Sequence, residues 1–416
     1  MFRIWIYLSI KNFFLAIVSS EKISKKKKFI EEYIHKQSNK SKVYLFSQCR
    51  VAFLFVLNFL KKKNKANKNE IIICAYNLPE MINIALNLKL KIKFCDLDHK
   101  SGLMDPIKVK KLISQKTLAI IMTNMFNNYK VAKQIKALSI RNKIPLIEDN
   151  AIYFDNFSRN KNKVFFSGSL GDYSIYSFNI MKNISSLYGG AMSTNNRDFE
   201  KFYIEEEKKL KNFPVFSLLK QILIFFILKI MSINKLYKYF FRYIIKCAYQ
   251  YKVKFLLELF YPSLKSVRKK FPKYYFSKIS HTSINATYLQ LLKKEKDMIF
   301  KIRKKNHKLY SKILGKIKNN NFELIVKTDE NYQNFLDFPI LVKRKENLNK
   351  FLINHGVEVR LKHYYNCAKM FNKKKGNVIA ERYEKELICL PVHQKITPSY
   401  ITFVAKKINQ FYERSK

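Results

Sequence analysis

Residues 167–190 read S-G-S-L-G-D-Y-S-I-Y-S-F-N-I-M-K-N-I-S-S-L-Y-G-G, and this stretch holds four of the eight glycines in the chain. Glycine is retained where the backbone needs a positive φ angle or must approach another group closely. Between the two glycine pairs, the alternating residues 173–178 predict a short strand, and a single lysine, Lys182, follows on a loop closed by Gly189-Gly190. Lys182 is therefore a candidate reactive amine, and the alternative is a solvated loop lysine.

A second stretch, residues 144–155, reads I-P-L-I-E-D-N-A-I-Y-F-D and supplies carboxylates at a matching place. Its apolar residues 145–147 predict a short buried strand, with Glu148 and Asp149 at the end of that strand. In an open α/β sheet, the carboxyl ends of the strands border the ligand crevice. A pyridoxal phosphate site requires an acid and an amine placed in this way, because the carboxylate keeps the pyridine nitrogen protonated and the amine attaches the cofactor.

Four short motifs carry a resemblance to a known family: I-E-D-N-A at 147–151, G-S-L-G-D at 168–172, S-F-N-I-M-K-N at 177–183 and G-G-A-M-S-T-N at 189–195. Together they resemble the signature of the DegT/DnrJ/EryC1/StrS family, which are pyridoxal-phosphate-dependent sugar aminotransferases of the aspartate aminotransferase superfamily. The resemblance extends from about Tyr44 to the C-terminus, apart from a middle insertion. It implies an α/β protein of fold type I, with a mostly parallel sheet between helices in a large domain, a small C-terminal α/β domain, and a homodimer.

We expect four segments along the chain: an N-terminal apolar and basic segment (1–40), a large cofactor-binding domain (41–200), a hydrophobic and basic helical insertion (201–275), and a hinge helix with the small C-terminal domain (276–416). Alternating strands and helices in the large domain favour a mostly parallel sheet with right-handed crossovers. Three local elements are also predicted: a charged linker at 61–68, a strand at 119–126 and a strand at 357–360.

The resemblance implies roles for individual side chains. Lys182 would hold the cofactor covalently and move the substrate proton, Asp149 would pair with the ring nitrogen, and Ser177 would contact the phosphate. Family members often place an aromatic side chain over the pyridine ring near residue 78. Here either Leu78 covers the ring by apolar contact, or Tyr76 does so from two residues away.

At three places the chain departs from the family's pattern. The turn whose helix amides bind the phosphate is Gln48-Cys49-Arg50 here, with Cys49 in place of the usual glycine. Arg50 either adds a charge-assisted contact to the phosphate or is a surface arginine. Ile152 stands where a Gln or His approaches the phenolic oxygen of the cofactor, and it cannot form a hydrogen bond there. Because residues 187–188 also replace a Gly-Glu pair, a cofactor-binding protein without transaminase activity, regulatory or scaffolding, stays as the second hypothesis.

The formal net charge of the chain is +51 over 416 residues, and most of it comes from lysine. The lysines occur on every predicted surface and no nucleic-acid-binding motif accompanies them, so we expect no nucleic-acid partner. Such a positive field favours anionic substrates, including nucleotide sugars, and anionic lipid surfaces. The six cysteines lack C-x-x-C spacing and the seven histidines lack metal-ligand spacing. These patterns predict a reduced, cytoplasmic compartment and no metal site.

Two apolar segments raise the question of a membrane. Residues 2–19 are apolar and aromatic but contain two basic residues, which argues against a spanning helix. An interfacial anchor and a packing helix are the two alternatives for this segment. Residues 213–228 are strongly apolar, but Lys220 and Lys229 would fall on opposite faces of a helix and interrupt both a span and a clean amphipathic pattern.

The next part of the insertion has a basic stripe at helical spacing, formed by Lys235, Lys238, Arg242 and Lys246. Aromatic and aliphatic residues fill the rest of this predicted helix surface. The pattern is typical of a helix lying in a membrane interface, and the alternative is a core-packed helix with a solvated basic edge. We therefore expect a cytoplasmic protein, with peripheral association at the inner face of the membrane as a hypothesis.

The expected reaction follows from the resemblance. An amino group would pass from a donor, glutamate by family resemblance, to a keto sugar on a nucleotide carrier, for the synthesis of a cell-surface polysaccharide or glycan such as O-antigen. The related sugar dehydratases have His where this chain has Lys182, so the lysine argues against dehydration.

Overall fold

The structure is a computed structural model. It describes residues 2–64, 66–126, 128–152, 154, 157–160, 163–253, 256–257, 271–292, 295–317, 320–325, 335–372 and 376–414. Residues 254–255 and 258–270 of the predicted insertion (201–275) lie outside the described residues.

The strands of the described chain are numbered in order: β1 (Lys42–Phe46), β2 (Glu70–Cys74), β3 (Tyr76–Asn77), β4 (Lys91–Cys95), β5 (Thr117–Thr123), β6 (Leu146–Asn150), β7 (Phe157–Asn160), β8 (Lys163–Phe166), β9 (Tyr173–Ser177), β10 (Gly190–Thr194), β11 (Phe322–Leu324), β12 (Phe338–Val342), β13 (Tyr365–Asn366) and β14 (Leu387–Leu390).

The helices of the described chain are α1 (Ile10–Val18), α2 (Ile23–Ser38), α3 (Cys49–Lys63), α4 (Pro79–Asn87), α5 (Pro106–Leu112), α6 (Tyr129–Arg141), α7 (Asp198–Lys208), α8 (Val215–Met231), α9 (Asn234–Leu236), α10 (Arg242–Gln250), α11 (His281–Leu292), α12 (Glu295–Leu314), α13 (Lys345–Asn354), α14 (Cys367–Asn372), α15 (Val378–Glu386) and α16 (Pro398–Glu413). A π-helical turn, Tyr237–Phe241, joins α9 to α10, and a 3₁₀ turn covers Lys273–Phe276.

The large domain is organised on a sheet with the strand order β1-β10-β9-β6-β5-β2-β4. The five strands from β9 to β4 in this order run parallel to one another. At the other side of the sheet, β10 pairs antiparallel with both β9 and β1. The central strands are continuous apolar runs such as I-I-I-C in β2, because helices cover both faces of a parallel sheet. The predicted mostly parallel α/β fold is confirmed.

The sheet register brings several predicted site residues to one edge. In the pairing of β9, β10 and β1, Ser177 lies opposite Gly190, and Gly190 lies opposite Phe46. The loop that carries Lys182 and the start of α3 therefore leave the sheet at the same edge. Strand β6 runs parallel to β9 and ends there with Asp149 and Asn150.

The small C-terminal domain has its own antiparallel sheet, in the order β11-β12-β14. Helices α12, α13 and α16 cover this sheet with buried residues that include Tyr310, Leu352 and Val404. The two-residue strand β13 pairs with β3 of the large domain. This short ladder holds the small domain against the site edge of the large sheet.

Three local predictions are wrong in whole or in part. Among the described residues, the predicted strand at 357–360 is replaced by a single bridge between Arg360 and Cys389, with two backbone hydrogen bonds of 2.9 and 3.0 Å. The strand predicted at 119–126 ends at Thr123. The predicted linker at 61–68 begins as helix, since α3 continues through three lysines to Lys63, where their charge complements the C-terminal end of the helix dipole.

The N-terminal segment and the insertion pack together beside the large domain. We call residues 2–18 and 214–253 the accessory layer. Its core and its contacts with the loop around Lys182 form one cluster of buried residues: Phe2, Ile4, Ile6, Leu8, Phe13, Ala16, Ile180, Leu187, Phe225, Leu228, Met231, Tyr237, Ile245 and Ala286.

Two contacts explain how the accessory layer accommodates charge. Arg3 forms an ion pair of 3.2 Å with Glu358, and both side chains are buried. Lys229 on α8 donates to the Ile6 carbonyl (2.9 Å) and lies over the Trp5 ring. Lys229 therefore binds inside the layer while Lys220 is exposed, so the two lysines lie on opposite faces of α8, as their spacing predicted.

Within the described residues, no single helix is both long and apolar enough to cross a bilayer. The helical segments Val215–Met231 and Asn234–Gln250 meet that test only as a pair, bent by 78° at the break between them. The predicted amphipathic helix is divided by the π-helical turn. Tyr237 and Ile245 are buried in the layer, whereas Tyr239 and Phe240 are exposed, so each alternative describes part of this surface.

Candidate active site

A cavity of about 350 Å³ opens at the carboxyl edge of the large sheet. Eight of the nine predicted site residues line it: Gln48, Cys49, Arg50, Leu78, Asp149, Ile152, Ser177 and Lys182. They come from α3, from the ends of β6 and β9, and from two loops. The ninth, Tyr76, is not among the lining residues.

Two adjacent carboxylates at the end of β6 face different surroundings. Glu148 is fully buried and accepts hydrogen bonds from the N–H groups of Gly168 (3.0 Å), Leu170 (3.0 Å) and Gly171 (2.7 Å). It therefore holds the glycine-rich turn before β9. Asp149 points the other way, because successive side chains of a strand alternate in direction. It lines the cavity, and its Oδ1 accepts from the Ala151 N–H (3.0 Å).

Burial brings the pKa values of Asp149 and Lys182 closer together. It raises the pKa of Asp149 to about 6, against smaller opposing effects of the Ala151 N–H and Lys182. Burial also lowers the pKa of Lys182 to about 8, and the positive charge of Arg360 acts in the same direction. An amine and an acid with such displaced pKa values, in one cavity, are typical of a catalytic pair.

The start of α3 forms an anion-binding end of the cavity. The Gln48 carbonyl accepts from the Val51 and Ala52 N–H groups (3.0 and 3.2 Å), which leaves the amides of Cys49 and Arg50 at the helix end. Gln48 makes no side-chain cap, and its buried Oε1 has no hydrogen-bond partner among the described residues. Burial raises the pKa of the Cys49 thiol well above its usual value, so the thiol adds no negative charge here.

The Cys49 backbone is accommodated by glycine on the neighbouring strand. A Cβ atom on Gly190 would lie 2.3 Å from the Cys49 nitrogen and 2.5 Å from the Gln48 carbonyl carbon. A side chain at residue 190 would therefore displace the helix start. The close approach explains why Gly190 is kept in a chain with so few glycines.

Of the two candidates for the ring-covering position, Leu78 lines the cavity and Tyr76 does not. Tyr76 is buried between the domains, where its hydroxyl accepts from the Tyr364 N–H (3.1 Å). Tyr364 itself lines the cavity. Ile152 also lines it with a nearly buried side chain, so this part of the wall is apolar.

The small domain contributes a cationic group that the sequence did not single out. Arg360 lines the cavity and its guanidinium contacts Asp337 Oδ2 (2.8 Å) and His363 Nδ1 (3.3 Å). Asp337, His363 and Cys389 also form a potential metal-ligand cluster, with ligand atoms within 4.8 Å of one another. Because the Arg360 charge already pairs with Asp337, we interpret the cluster as support for Arg360.

Other lining residues were also missed by sequence reasoning. Lys362 comes from the loop that carries Arg360, and Gln221 comes from α8 of the accessory layer. Gln221 is buried and donates to the Asn179 side chain (3.2 Å). The available signal was a lone Gln in a strongly apolar helix. No sequence pattern placed Arg360 or Lys362 at the site, because they reach it through docking of the small domain.

A sequence model of the DegT/DnrJ/EryC1/StrS aminotransferase family matches residues 17–213 and 278–409. The chain belongs to this family. Most of the accessory layer lies outside the two matched regions. The family assignment confirms the predicted resemblance, and the fold is fold type I.

Relatives of known description support the family assignment. Two L-glutamine:2-deoxy-scyllo-inosose aminotransferases, from Streptomyces lividus and Streptomyces paromomycinus, are 31% and 29% identical over 106 residues. Each match covers 26% of this chain and only 24% of the relative. The chain thus matches about a quarter of the length of these curated family members.

Solved structures of family-like fold cover nearly the whole chain. Helicobacter pylori PseC, an aminotransferase involved in pseudoaminic acid biosynthesis, has a TM-score of 0.69 at 17% identity. The match covers 97% of this chain and 96% of the PseC chain. Spr1654 from Streptococcus pneumoniae, in its PMP form, has a TM-score of 0.71 at 14% identity, over 100% and 99% of the two chains. DesI, solved with its TDP-sugar product, has a TM-score of 0.66 at 14% identity, over 99% and 92%.

Family membership implies pyridoxal phosphate, and the cavity fits this group. Asp149 offers a buried carboxylate that lacks a full counter-charge, which a protonated ring nitrogen would supply. The free amides at the start of α3 and the Ser177 hydroxyl suit a phosphate. Lys182 supplies an amine whose lowered pKa favours covalent attachment.

Proposed function

We propose that the protein transfers an amino group from glutamate to a keto sugar carried by a nucleotide, with pyridoxal phosphate as cofactor, as a step in the synthesis of a cell-surface polysaccharide or glycan. The observation that carries the proposal is the placement of Asp149 and Lys182 on one cavity, next to the free N-terminus of α3. Bound pyridoxal phosphate would supply an electron sink for the substrate carbon that loses its proton.

Lys182 would perform the proton transfers. With a pKa of about 8, roughly a tenth of the free amine is neutral at pH 7, so Nζ can take a proton from the substrate carbon and return it. Burial keeps this pKa of Lys182 low, and the nearby positive charge of Arg360 adds to the effect. Asp149 would hold the proton of the ring nitrogen through charge pairing, without itself leaving its place on β6.

The remaining lining side chains would orient the two substrates. Arg50, Arg360 and Lys362 outnumber the single carboxylate among the described lining residues, which favours anions in the cavity. Two of these charges also have acidic partners behind the wall, since Arg360 pairs with Asp337 (2.8 Å) and Arg50 lies 4.0 Å from Glu80. We propose that Arg360 and Lys362 bind the carboxylates of the amino donor when it is present. The same cationic rim then suits the diphosphate of a nucleotide sugar, which occupies the site after the donor has left.

The apolar wall supports the exclusion of water from the reaction. Leu78, Ile152 and Tyr364 line the cavity together with Met81 and Ile180. Such a wall strengthens the electrostatic interactions of Asp149 and Lys182, because fewer water molecules screen them.

The test is a half-reaction monitored by visible absorbance. Purified protein loaded with pyridoxal phosphate is mixed with glutamate, and in parallel with glutamine, since two relatives are named for that donor. We expect the visible band to disappear with one donor and to return when a nucleotide-linked 4-keto sugar is added. A band that neither donor changes would refute the aminotransferase proposal and support the non-transaminating alternative.

The homodimer expected from the family is also a proposal. Light scattering on the purified chain is the direct measurement, and a mass of one chain at all concentrations would overturn it.

A further inference from the structure

The outward face of α8 is apolar. Its exposed residues follow helical spacing along one side of the helix: Val215, Phe216, Leu219, Lys220, Leu223 and Ile230. Phe216 is 81% exposed. The opposite side, which includes Gln221, Phe225 and Leu228, is buried against the rest of the protein. A helix on the surface of a soluble protein normally has polar residues on its outward side.

The neighbouring helix α1 is also apolar on its outer side. Phe14, Leu15, Ile17 and Val18 are exposed, and Asn12, Phe13 and Ala16 are buried. The two helices are in direct contact, because the Phe13 ring stacks on Phe225 at 4.8 Å and lies 5.2 Å from Phe226. Their outer sides therefore form one surface, which we call the apolar face. Contiguous exposed apolar surface of this kind marks an interaction site.

The charged residues of the accessory layer are all of one sign. The accessory layer contains no Asp or Glu, and its basic residues are Arg3, Lys11, Lys220, Lys229, Lys235, Lys238, Arg242, Lys246 and Lys252. Lys11, Lys220, Lys235 and Lys238 are exposed. A second copy of the same face would bring like charges together, whereas an anionic surface would pair with them.

We propose that the apolar face, formed by α1 and α8 together with the exposed aromatic residues Tyr239 and Phe240, docks on a lipid bilayer with anionic headgroups. The apolar side chains enter the boundary between headgroups and acyl chains, and the lysines contact lipid phosphates. The protein lies on the membrane and does not cross it. This inference is independent of the reaction that the site catalyses.

The docking surface is adjacent to the candidate active site. Gln221 and Ile224 of α8 line the cavity of Lys182, while Phe216 and Leu223 lie on the outer side of the same helix. One helix diameter, about 10 Å, thus separates the cavity from the proposed lipid surface. The accessory layer also packs on Ile180, two residues before Lys182.

The experiment is flotation of the purified full-length protein with two kinds of vesicle, phosphatidylcholine alone and phosphatidylcholine with phosphatidylglycerol. We expect binding to the vesicles that contain phosphatidylglycerol, and weaker binding at high salt. The variant Phe216→Glu/Leu219→Glu/Leu223→Glu should lower the partition coefficient by about tenfold or more, because it places carboxylates in the interface. These positions are exposed, so the fold should persist, which a melting curve checks.

Two further variants make the test specific. The control Ile107→Glu/Ile140→Glu/Val378→Glu changes equally exposed apolar residues on α5, α6 and α15 and should bind vesicles like the unmodified protein. The charge variant Lys220→Gln/Lys235→Gln/Lys238→Gln should lose about fivefold per lysine.

Three results would overturn the proposal. One is failure of the unmodified protein to float with either kind of vesicle. Another is equal loss of binding in the α8 variant and in its control. The third combines two observations: the unmodified protein does not bind vesicles, and light scattering shows that the α8 variant is a monomer where the unmodified protein is a dimer. The apolar face would then be an interface between two copies.

Discussion

The different surroundings of Glu148 and Asp149 lead to a prediction for two substitutions one residue apart. In Glu148→Gln, one carboxylate oxygen becomes an NH₂ group that faces backbone N–H donors. Glu148 Oε2 accepts from Leu170 and Gly171 (3.0 and 2.7 Å), and Oε1 accepts from Gly168 (3.0 Å). In Asp149→Asn, the hydrogen bond from the Ala151 N–H to Oδ1 (3.0 Å) can be kept.

The expected changes in the free energy of unfolding have opposite signs. Glu148→Gln loses one or two hydrogen bonds to a charged acceptor, at about 1.5–3 kcal/mol each, so the cost is about 2–6 kcal/mol. Burial raises the pKa of Asp149 from 3.8 to about 6. At about 1.4 kcal/mol per pH unit, its ionised form costs the folded protein about 3 kcal/mol above pH 6, which Asp149→Asn removes.

The pH dependence follows from the raised pKa. Because folded Asp149 binds its proton more tightly than unfolded Asp149, its contribution is most favourable below pH 4 and is lost as the pH rises through 6. The gain in Asp149→Asn should therefore be present at pH 7 and absent near pH 4.

The assay is urea unfolding of the cofactor-free protein, at neutral and acidic pH, combined with the absorbance of the cofactor-loaded protein. Asp149→Asn should be more stable than the unmodified protein at neutral pH but should lose the amino-transfer half-reaction. Glu148→Gln should be less stable while any folded fraction keeps its visible band. Equal destabilisation by both substitutions, or activity that survives only in Asp149→Asn, would refute the assignment of the two carboxylates.

Three further predictions address the phosphate end, the accessory layer and the cavity wall. Arg50→Ala should raise the dissociation constant for pyridoxal phosphate by about tenfold, because it removes a charge-assisted contact to the phosphate. The control Lys62→Ala, at the other end of α3, should leave this constant unchanged. Equal dissociation constants for the two variants in an absorbance titration would contradict the phosphate contact. Arg3→Ala should lower the free energy of unfolding by about 3–5 kcal/mol, since it leaves the buried Glu358 unpaired; a loss below about 1 kcal/mol in urea unfolding would contradict this. Gln221→Ala should raise the KM for the sugar acceptor more than it lowers kcat, with an unchanged visible band, and an unchanged KM would show that α8 does not contact the acceptor.

Much of the site could be predicted from the sequence because parallel strands end at one edge of a sheet. Asp149 at the end of β6 and Lys182 after β9 had to lie near each other once the strands were recognised. The choice between Glu148 and Asp149 as the cavity acid depends on strand direction and alternation. The sequence left open whether Leu78 or Tyr76 covers the ring, and pairing of β3 with β13 turns Tyr76 toward the small domain instead.

The rest could not be predicted because it depends on contacts between distant segments. Arg360 was expected within a strand, yet the chain there makes only one bridge, to Cys389, and the loop carries Arg360 to the cavity. The spacing of Lys220 and Lys229 placed them on opposite faces of α8, as the structure has them, but it could not show which face would be buried. Lys229 binds the Ile6 carbonyl, more than two hundred residues away in sequence, and Lys220 stays on the outer face.

The departures at residues 187–188 also have a structural reason. Leu187 is buried in the cluster that joins the Lys182 loop to the accessory layer. Tyr188 packs against Phe213 (5.0 Å) and Tyr274 (6.2 Å). The two residues that replace a Gly-Glu pair thus pack against the accessory layer and against residues beside it. Their replacement is therefore consistent with an intact cavity.

The central claim is that Lys182 binds pyridoxal phosphate covalently in a cavity completed by Asp149. The most direct measurement is borohydride reduction of the cofactor-loaded protein, followed by mass spectrometry of its peptides. We predict one added cofactor, located on the peptide that contains Lys182, and no added mass in Lys182→Ala. An unlabelled protein, or a label that stays in Lys182→Ala, would contradict the account.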